Sequence, residues 1–199
     1  MRIGIAGPFG TGKTDIATEI SSRYGLPLIK DNAKNLARVW DIEDSLDLIG
    51  DSVNAKQFQI ALLMSQLYQK QQKKVFVADI TTFDFLAHWS LYGLDDGSRF
   101  DEMYRKICSQ KLYDMVIYSS LEGVSDDNDD IIMASLKQKI DEETRKALDS
   151  NPSVKVVVVQ GNIGQRIESS LNAVERLREE LSYSEKSIIE EILSEPPHV

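Results

Sequence analysis

The sequence predicts an α/β fold, a five-stranded parallel sheet with helices on both faces. Short apolar runs alternate with segments of helical periodicity, the pattern of strands joined by crossover helices. A glycine-rich turn separates the first run from the first helix, and Gly25 and Asn151-Pro152 supply strong breaks. With 199 residues, 42% of them hydrophobic, the chain fits one core and one domain over 1–199, with a C-terminal helix over 185–195.

Taken in order, Ile3 to Ala6 reads as the first strand and Lys13 to Tyr24 as the first helix. Leu26 to Ile29 is a second strand, Asn35 to Trp40 a short helix, and Asp41 to Asp51 an acidic connection. Lys56 to Lys73 is a long helix with Phe58, Leu62, Leu63 and Leu67 on its apolar side, and its Lys/Gln end, Gln69 to Lys74, reads as solvated. Val75 to Ile80 is β-branched and apolar, a third strand; Phe83 to Leu91 and Phe100 to Ser109 read as helices. Tyr113 to Tyr118 is the fourth strand, followed by a polar loop, Ser125 to Asp130, and a helix ending near Leu148. Val154 to Val159 is the last strand. Two helices follow, Gln165 to Leu181 and Glu185 to Leu193, the second with Ser184 as N-cap and Ile188, Ile189, Ile192 and Leu193 on one side. That side is expected to pack on the domain or on a second copy, which leaves a homo-oligomer open.

A net charge of −9 disfavours non-specific nucleic-acid binding, which needs clustered Lys and Arg. The single cysteine, Cys108, excludes an internal disulfide and a thiolate metal cluster, and it reads as a small buried hydrophobe. Neither a signal peptide nor a membrane span is expected, and the localisation read from these features is cytoplasmic.

The chemistry starts at Gly7-Pro8-Phe9-Gly10-Thr11-Gly12-Lys13-Thr14, a full match to G-x-x-x-x-G-K-[ST] between a strand and a helix. Glycines let backbone N–H groups turn inward around a phosphate, and the helix that follows points its positive end at the same anion. Gly7, Gly10, Thr11, Gly12 and Lys13 are therefore expected to hold the phosphates of ATP, and Thr14 to hold Mg2+. There is no Asn-Lys-x-Asp for guanine, and the strand Val75-Phe76-Val77-Ala78-Asp79 ends in a single carboxylate rather than the pair that a water-activating motor uses. Asp79 is expected to take the proton of an acceptor hydroxyl or to bind the metal, because open α/β sheets carry their sites at the carboxyl ends of strands.

From this strand onward, Asp79-Ile80-Thr81-Thr82-Phe83-Asp84-Phe85-Leu86-Ala87-His88 resembles the Asp-Arg-Ser/Thr-Pro-x-Asp-x-Leu-Ala-Tyr segment of P-loop nucleoside and nucleotide kinases. The nearest group is that of nicotinamide riboside kinase-like domains and phage AAA-domain kinases. Arg38 after the second strand, Phe58-Gln59 in the long helix, Tyr113-Asp114 at the fourth strand, and Gly161 with Arg166 after the fifth are similar too. The resemblance implies transfer of a phosphoryl group from ATP to a nucleoside, a nucleoside monophosphate or a similar small acceptor. It implies Lys13 and Asp79 as the catalytic pair, Thr14 and Asp79 at the metal, and Arg166 over the adenine. Arg38 faces the acceptor in this reading, with Asp84 either on a sugar hydroxyl or capping its own helix. One or two of Trp40, Phe83, Phe85, Trp89 and Tyr92 stack on a base; His88 is structural. Two departures stand out: Ile80 replaces the family's arginine, and Asp126 to Asp130 holds no basic residue where a lid arginine is usual. Lys137, Lys139, Arg145 and Arg166 are the candidate substitutes. Without one, the alternative is a nucleotide-binding regulatory module that lacks transfer activity.

Overall fold

A computed structural model describes residues 1–42, 48–124 and 131–194. The strands are β1 (Arg2–Ala6), β2 (Leu28–Ile29), β3 (Phe76–Ala78), β4 (Met115–Ser119) and β5 (Lys155–Val159). The helices are α1 (Lys13–Tyr24), α2 (Ala33–Val39), α3 (Ser52–Gln71), α4 (Thr82–Leu91), α5 (Arg99–Cys108), α6 (Ile131–Asp149) and α7 (Ile163–Ser194). All strand pairs are parallel, in the order β2-β3-β1-β4-β5. The fold class is the one the sequence predicts.

The central strand explains the layering. Successive side chains of a strand point to opposite faces, so Ile3 and Ile5 of β1 enter one core and Ala6 the other. The first core joins them to Ile16 and Ile20 of α1 and Val174 and Leu177 of α7. The second joins β1, β3 and β4 to α3, α4 and α5. There Trp89 stacks on Tyr104 at 3.9 Å and donates its indole N–H to Asp101 Oδ1 at 2.9 Å. Phe83 is buried in the same core, so Phe83 and Trp89 are packing residues. Asp114 at the start of β4 pairs with Arg2 at 2.7 Å and ties the chain's first strand to its fourth.

Local chemistry sets the helix ends. Gly25 ends α1 in the left-handed conformation, φ 64°, where its N–H reaches Ser21 O. Asp51 accepts from Asn54 N–H and starts α3 one turn before the expected Lys56. The largest difference lies in α7. One helix of 32 residues, about 48 Å at 1.5 Å per residue, runs where two are expected, and Ser184 lies inside it rather than at a cap. No glycine or proline interrupts 165–194, so the chain has no reason to stop at a lone serine. The loop Asp126 to Asp130, residues 43–47 of the acidic connection, residue 195 and the side chains of Ile188, Ile189, Ile192 and Leu193 lie outside the described residues. Among the described residues no helix is long and apolar enough to cross a membrane.

Candidate functional site

The loop between β1 and α1 stands at the carboxyl end of the central strand, flanked by the ends of β3 and β4. Gly10 and Gly12 hold φ of 78° and 79°, the region in which a side chain is strained and through which the loop turns. Gly7 faces a harder limit: a Cβ there would lie 2.2 Å from the carbonyl oxygen of Ser119 on β4. Thr11 braces the loop from within, its hydroxyl donating to Pro8 O at 2.8 Å, while Ser119 Oγ donates to Thr11 O at 2.7 Å. Lys13 arches over the loop, and its ammonium donates to Gly7 O at 2.6 Å and Pro8 O at 2.8 Å.

Thr14 and Asp79 meet as the sequence predicts. The Thr14 hydroxyl lies 2.9 and 3.1 Å from the two Asp79 carboxylate oxygens. A convergent hydroxyl and carboxylate are hard oxygen donors of the kind Mg2+ selects, so this pair fits a magnesium site. Asp79 is 6% exposed. Burial raises its pKa to about 6, against the Thr14 hydrogen bond and the Lys13 charge, while Asp31 and Asp84 push it further up.

Asp84 is corrected from the acceptor side to the cap of its own helix, the second of its two expected readings. It is 1% exposed. One carboxylate oxygen accepts from Gly7 N–H at 2.8 Å; the other accepts from the Thr81 N–H at 2.8 Å and the Thr81 hydroxyl at 2.6 Å. Thr81 in return accepts from Asp84 N–H, a capping box that starts α4. Both oxygens are committed to the fold, so Asp84 fastens α4 to the phosphate loop rather than touching an acceptor. Arg166 is corrected as well. Its guanidinium donates to Gly161 O, Ser119 Oγ, Ser120 O and Glu122 O at 2.7 to 2.8 Å. The residue is 2% exposed. It braces the ends of β4 and β5, and through Ser119 the phosphate loop, and offers no face to an adenine ring.

A cleft of about 840 Å³ adjoins the loop and is walled by α2, α3, α4 and α6. Arg38 lines it, together with Lys34 of α2 and with Asp31 past the carboxyl end of β2. Phe85 and Tyr92 are the two of the five candidate aromatics on its wall. Trp40 instead sets its ring edge-on to Phe58 at 5.8 Å. His88 lines the cleft too; its Nδ1 lies 2.7 Å from Asp84 O, an acceptor only, so Nδ1 carries the proton there. Gln59 reaches the wall with a buried Oε1 that has no hydrogen-bond partner among the described residues.

Of the four candidate substitutes for the absent arginines, one reaches the loop. Lys137 on α6 is 6% exposed, and its Nζ would lie 3.3 Å from a Cβ built on Gly10. It also stands 5.5 Å from the centre of the Phe9 ring. Arg145 is bound to Asp141 at 2.8 Å and lies over Tyr118, Lys139 is exposed, and Arg166 is enclosed as described. Asp31 carries no motif, and Gln59 is marked in sequence only by the Phe58-Gln59 resemblance, without a role. The position of Asp31, two residues past a strand end, was the available signal. The burial of Lys137 depends on the helix rotation of α6, which its local sequence does not specify.

A family model described as an AAA domain matches residues 2–166. Solved structures agree in fold. Deoxyadenosine kinase from M. mycoides with bound dATP is 19% identical, with a TM-score of 0.59, over 88% of this chain and 100% of that one. Thymidylate kinase from Ehrlichia chaffeensis is 15% identical, with a TM-score of 0.54, over 89% and 98%. NadR protein in complex with NR is 15% identical, with a TM-score of 0.65, over 88% of this chain and 50% of that one. No curated protein matches the sequence. With a phosphate loop at the end of the central strand and a family match across most of its length, the chain belongs to the AAA domain family, on the fold of P-loop nucleoside and nucleotide kinases.

Proposed function

We propose that the protein transfers the γ-phosphoryl group of ATP to a hydroxyl of a nucleoside or nucleoside monophosphate. The observation that carries this reading is the cleft of about 840 Å³ that adjoins the phosphate loop and is lined by both charged and aromatic residues. A protein that only binds nucleotide needs no second cavity at that place. The solved structures of the same fold include kinases of nucleosides and nucleotides, which supports the choice of acceptor.

The loop amides and Lys13 bind the phosphates, Lys13 exchanging its bonds to Gly7 O and Pro8 O for phosphate oxygens. Thr14 and Asp79 would hold Mg2+, which when bound neutralises charge on the phosphates. The acceptor oxygen attacks phosphorus, the bond to the bridging oxygen breaks, and its electron pair stays on ADP. The acceptor's proton passes to a carboxylate. With both Asp79 oxygens facing Thr14, the proton goes to Asp31, a carboxylate of the cleft that accepts from the Ala33 N–H at 2.9 Å. Lys137 supplies the second positive charge at the loop, the role that Ile80 and the acidic segment 126–130 leave open. Phe85 and Tyr92 take the flat face of a base, and the unpaired Gln59 Oε1 suits an amino group on its edge. Arg38 and Lys34 face the acceptor's polar end.

The test is incubation with ATP and Mg2+ against a panel of nucleosides, monophosphates and nicotinamide riboside, following ADP release and product mass. Phosphorylated product from one class, absent in Lys13→Ala, is the expected result. ATP binding without product from any acceptor refutes the proposal and favours the regulatory module.

A further inference from the structure

Lys70 lies near the end of α3, in a stretch whose Lys/Gln composition reads as solvated, yet it is 5% exposed. Its ammonium donates to Tyr113 Oη at 2.6 Å and, more weakly, to Ile80 O at 3.4 Å. The same Tyr113 oxygen accepts from Thr82 N–H at 3.0 Å. Ile80 and Thr82 are the two ends of the short turn that follows Asp79, and Thr81 between them is held by Asp84, which also holds Gly7. Tyr113 is itself fixed. Its ring stands edge-on to Phe76 at 6.3 Å, and Gly4 is needed beside it, because a Cβ there would come within 2.9 Å of the ring.

This arrangement is expensive for the fold. The hydrogen-bond partners of Lys70 are neutral oxygens, and burial lowers its pKa to about 7, opposed in part by the Asp84 charge and by Cys108. An apolar side chain of equal length would fill the space without that penalty. Packing therefore gives no reason for a lysine here, whereas its two contacts on the turn do.

We propose that Lys70 is a positioning residue for the transfer reaction: through Tyr113 and the Ile80 carbonyl it fixes the turn 79–82 and thereby the Asp79 carboxylate against Thr14. The inference rests on the reading of Thr14 and Asp79 as the magnesium pair. Arginine is absent from this turn, and the cation that reaches it comes from α3.

Lys70→Met and Tyr113→Phe test it. In both, the magnesium concentration for half-maximal nucleotide binding rises about tenfold and kcat falls about tenfold, the usual effect of a support residue. Affinity for metal-free ATP stays within about twofold of wild type. The Lys70→Met melting temperature is unchanged or higher. A purely structural lysine gives the reverse, a lower melting temperature with wild-type magnesium dependence and kcat in the folded protein, and that result overturns the proposal. If Lys70→Met does not fold, Tyr113→Phe decides on the same readouts. If wild type phosphorylates none of the acceptors, the transfer reading fails, yet the magnesium titration of nucleotide binding still decides the role of Lys70.

Discussion

The phosphate loop and the cleft beside it are built differently. The phosphate loop is held through its backbone by buried side chains: Asp84 on Gly7 N–H, Ser119 on Thr11 O, and Arg166 behind Ser119. Its functional groups come from eight consecutive residues, 7–14. The adjoining cleft draws Asp31, Arg38, Gln59 and His88 from well-separated segments, and Arg38 stands partly exposed at its edge. A phosphate is the same in every nucleotide, so its cradle can be a rigid local motif. An acceptor varies, and the cleft proposed for it is assembled from side chains that can change without disturbing the sheet.

Substitutions sharpen this contrast. Lys13→Ala, on the rigid side, has the largest expected effect: transfer falls by about a thousandfold or more, as on removal of a central charge-stabilising group, and the melting temperature barely moves. Isothermal titration with ATP and a steady-state assay check both halves.

Asp79→Asn follows, with a loss of about a hundredfold in kcat. Its effect on stability has the opposite sign. The folded-state pKa of Asp79 is raised to about 6 from 3.8, so the protonated form is favoured by folding. The carboxylate then costs stability as pH rises from 3.8 through 6, and the cost is complete above that window. Melting curves are therefore expected to show Asp79→Asn more stable than wild type at pH 7.5, by on the order of 2 kcal/mol, with the gain vanishing near pH 4. An equal gain at both pH values would contradict the burial argument.

Arg166→Met should leave kcat of the folded protein within about threefold while lowering stability by on the order of 3 kcal/mol, since it leaves buried oxygens without donors. A tenfold loss of ATP affinity at unchanged stability would restore Arg166 to the adenine. The smallest effect is expected at the exposed edge: Arg38→Ala raises KM for the acceptor by about tenfold and leaves KM for ATP unchanged.

The same contrast governs what the sequence discloses. A parallel sheet with crossover helices needs only alternating periodicity, and the loop needs only a contiguous motif, so both are legible, whereas the strand order is seen only in the fold. Asp84 shows the limit: its spacing from Asp79 matches the family's substrate-side segment, but only the fold reveals that Gly7 N–H and Thr81 consume both oxygens. Arg166 is similar, since nothing in Gly161 to Arg166 says that the guanidinium turns inward. Lys70 looks like a solvated helix charge in sequence and Lys137 like one of four equivalent candidate cations, and long-range packing buries both. Ser184 misleads in the other direction, because a good cap residue does not end a helix that has no other reason to stop.

The most direct measurement is single-turnover transfer from ATP labelled in its γ-phosphoryl group, with wild type and Lys137→Met side by side and the acceptor in excess. The account predicts label in the acceptor with wild type, and the same product formed about a hundredfold more slowly by the variant, at similar ATP affinity. Label appearing only as inorganic phosphate, or equal rates in the two proteins, would contradict it.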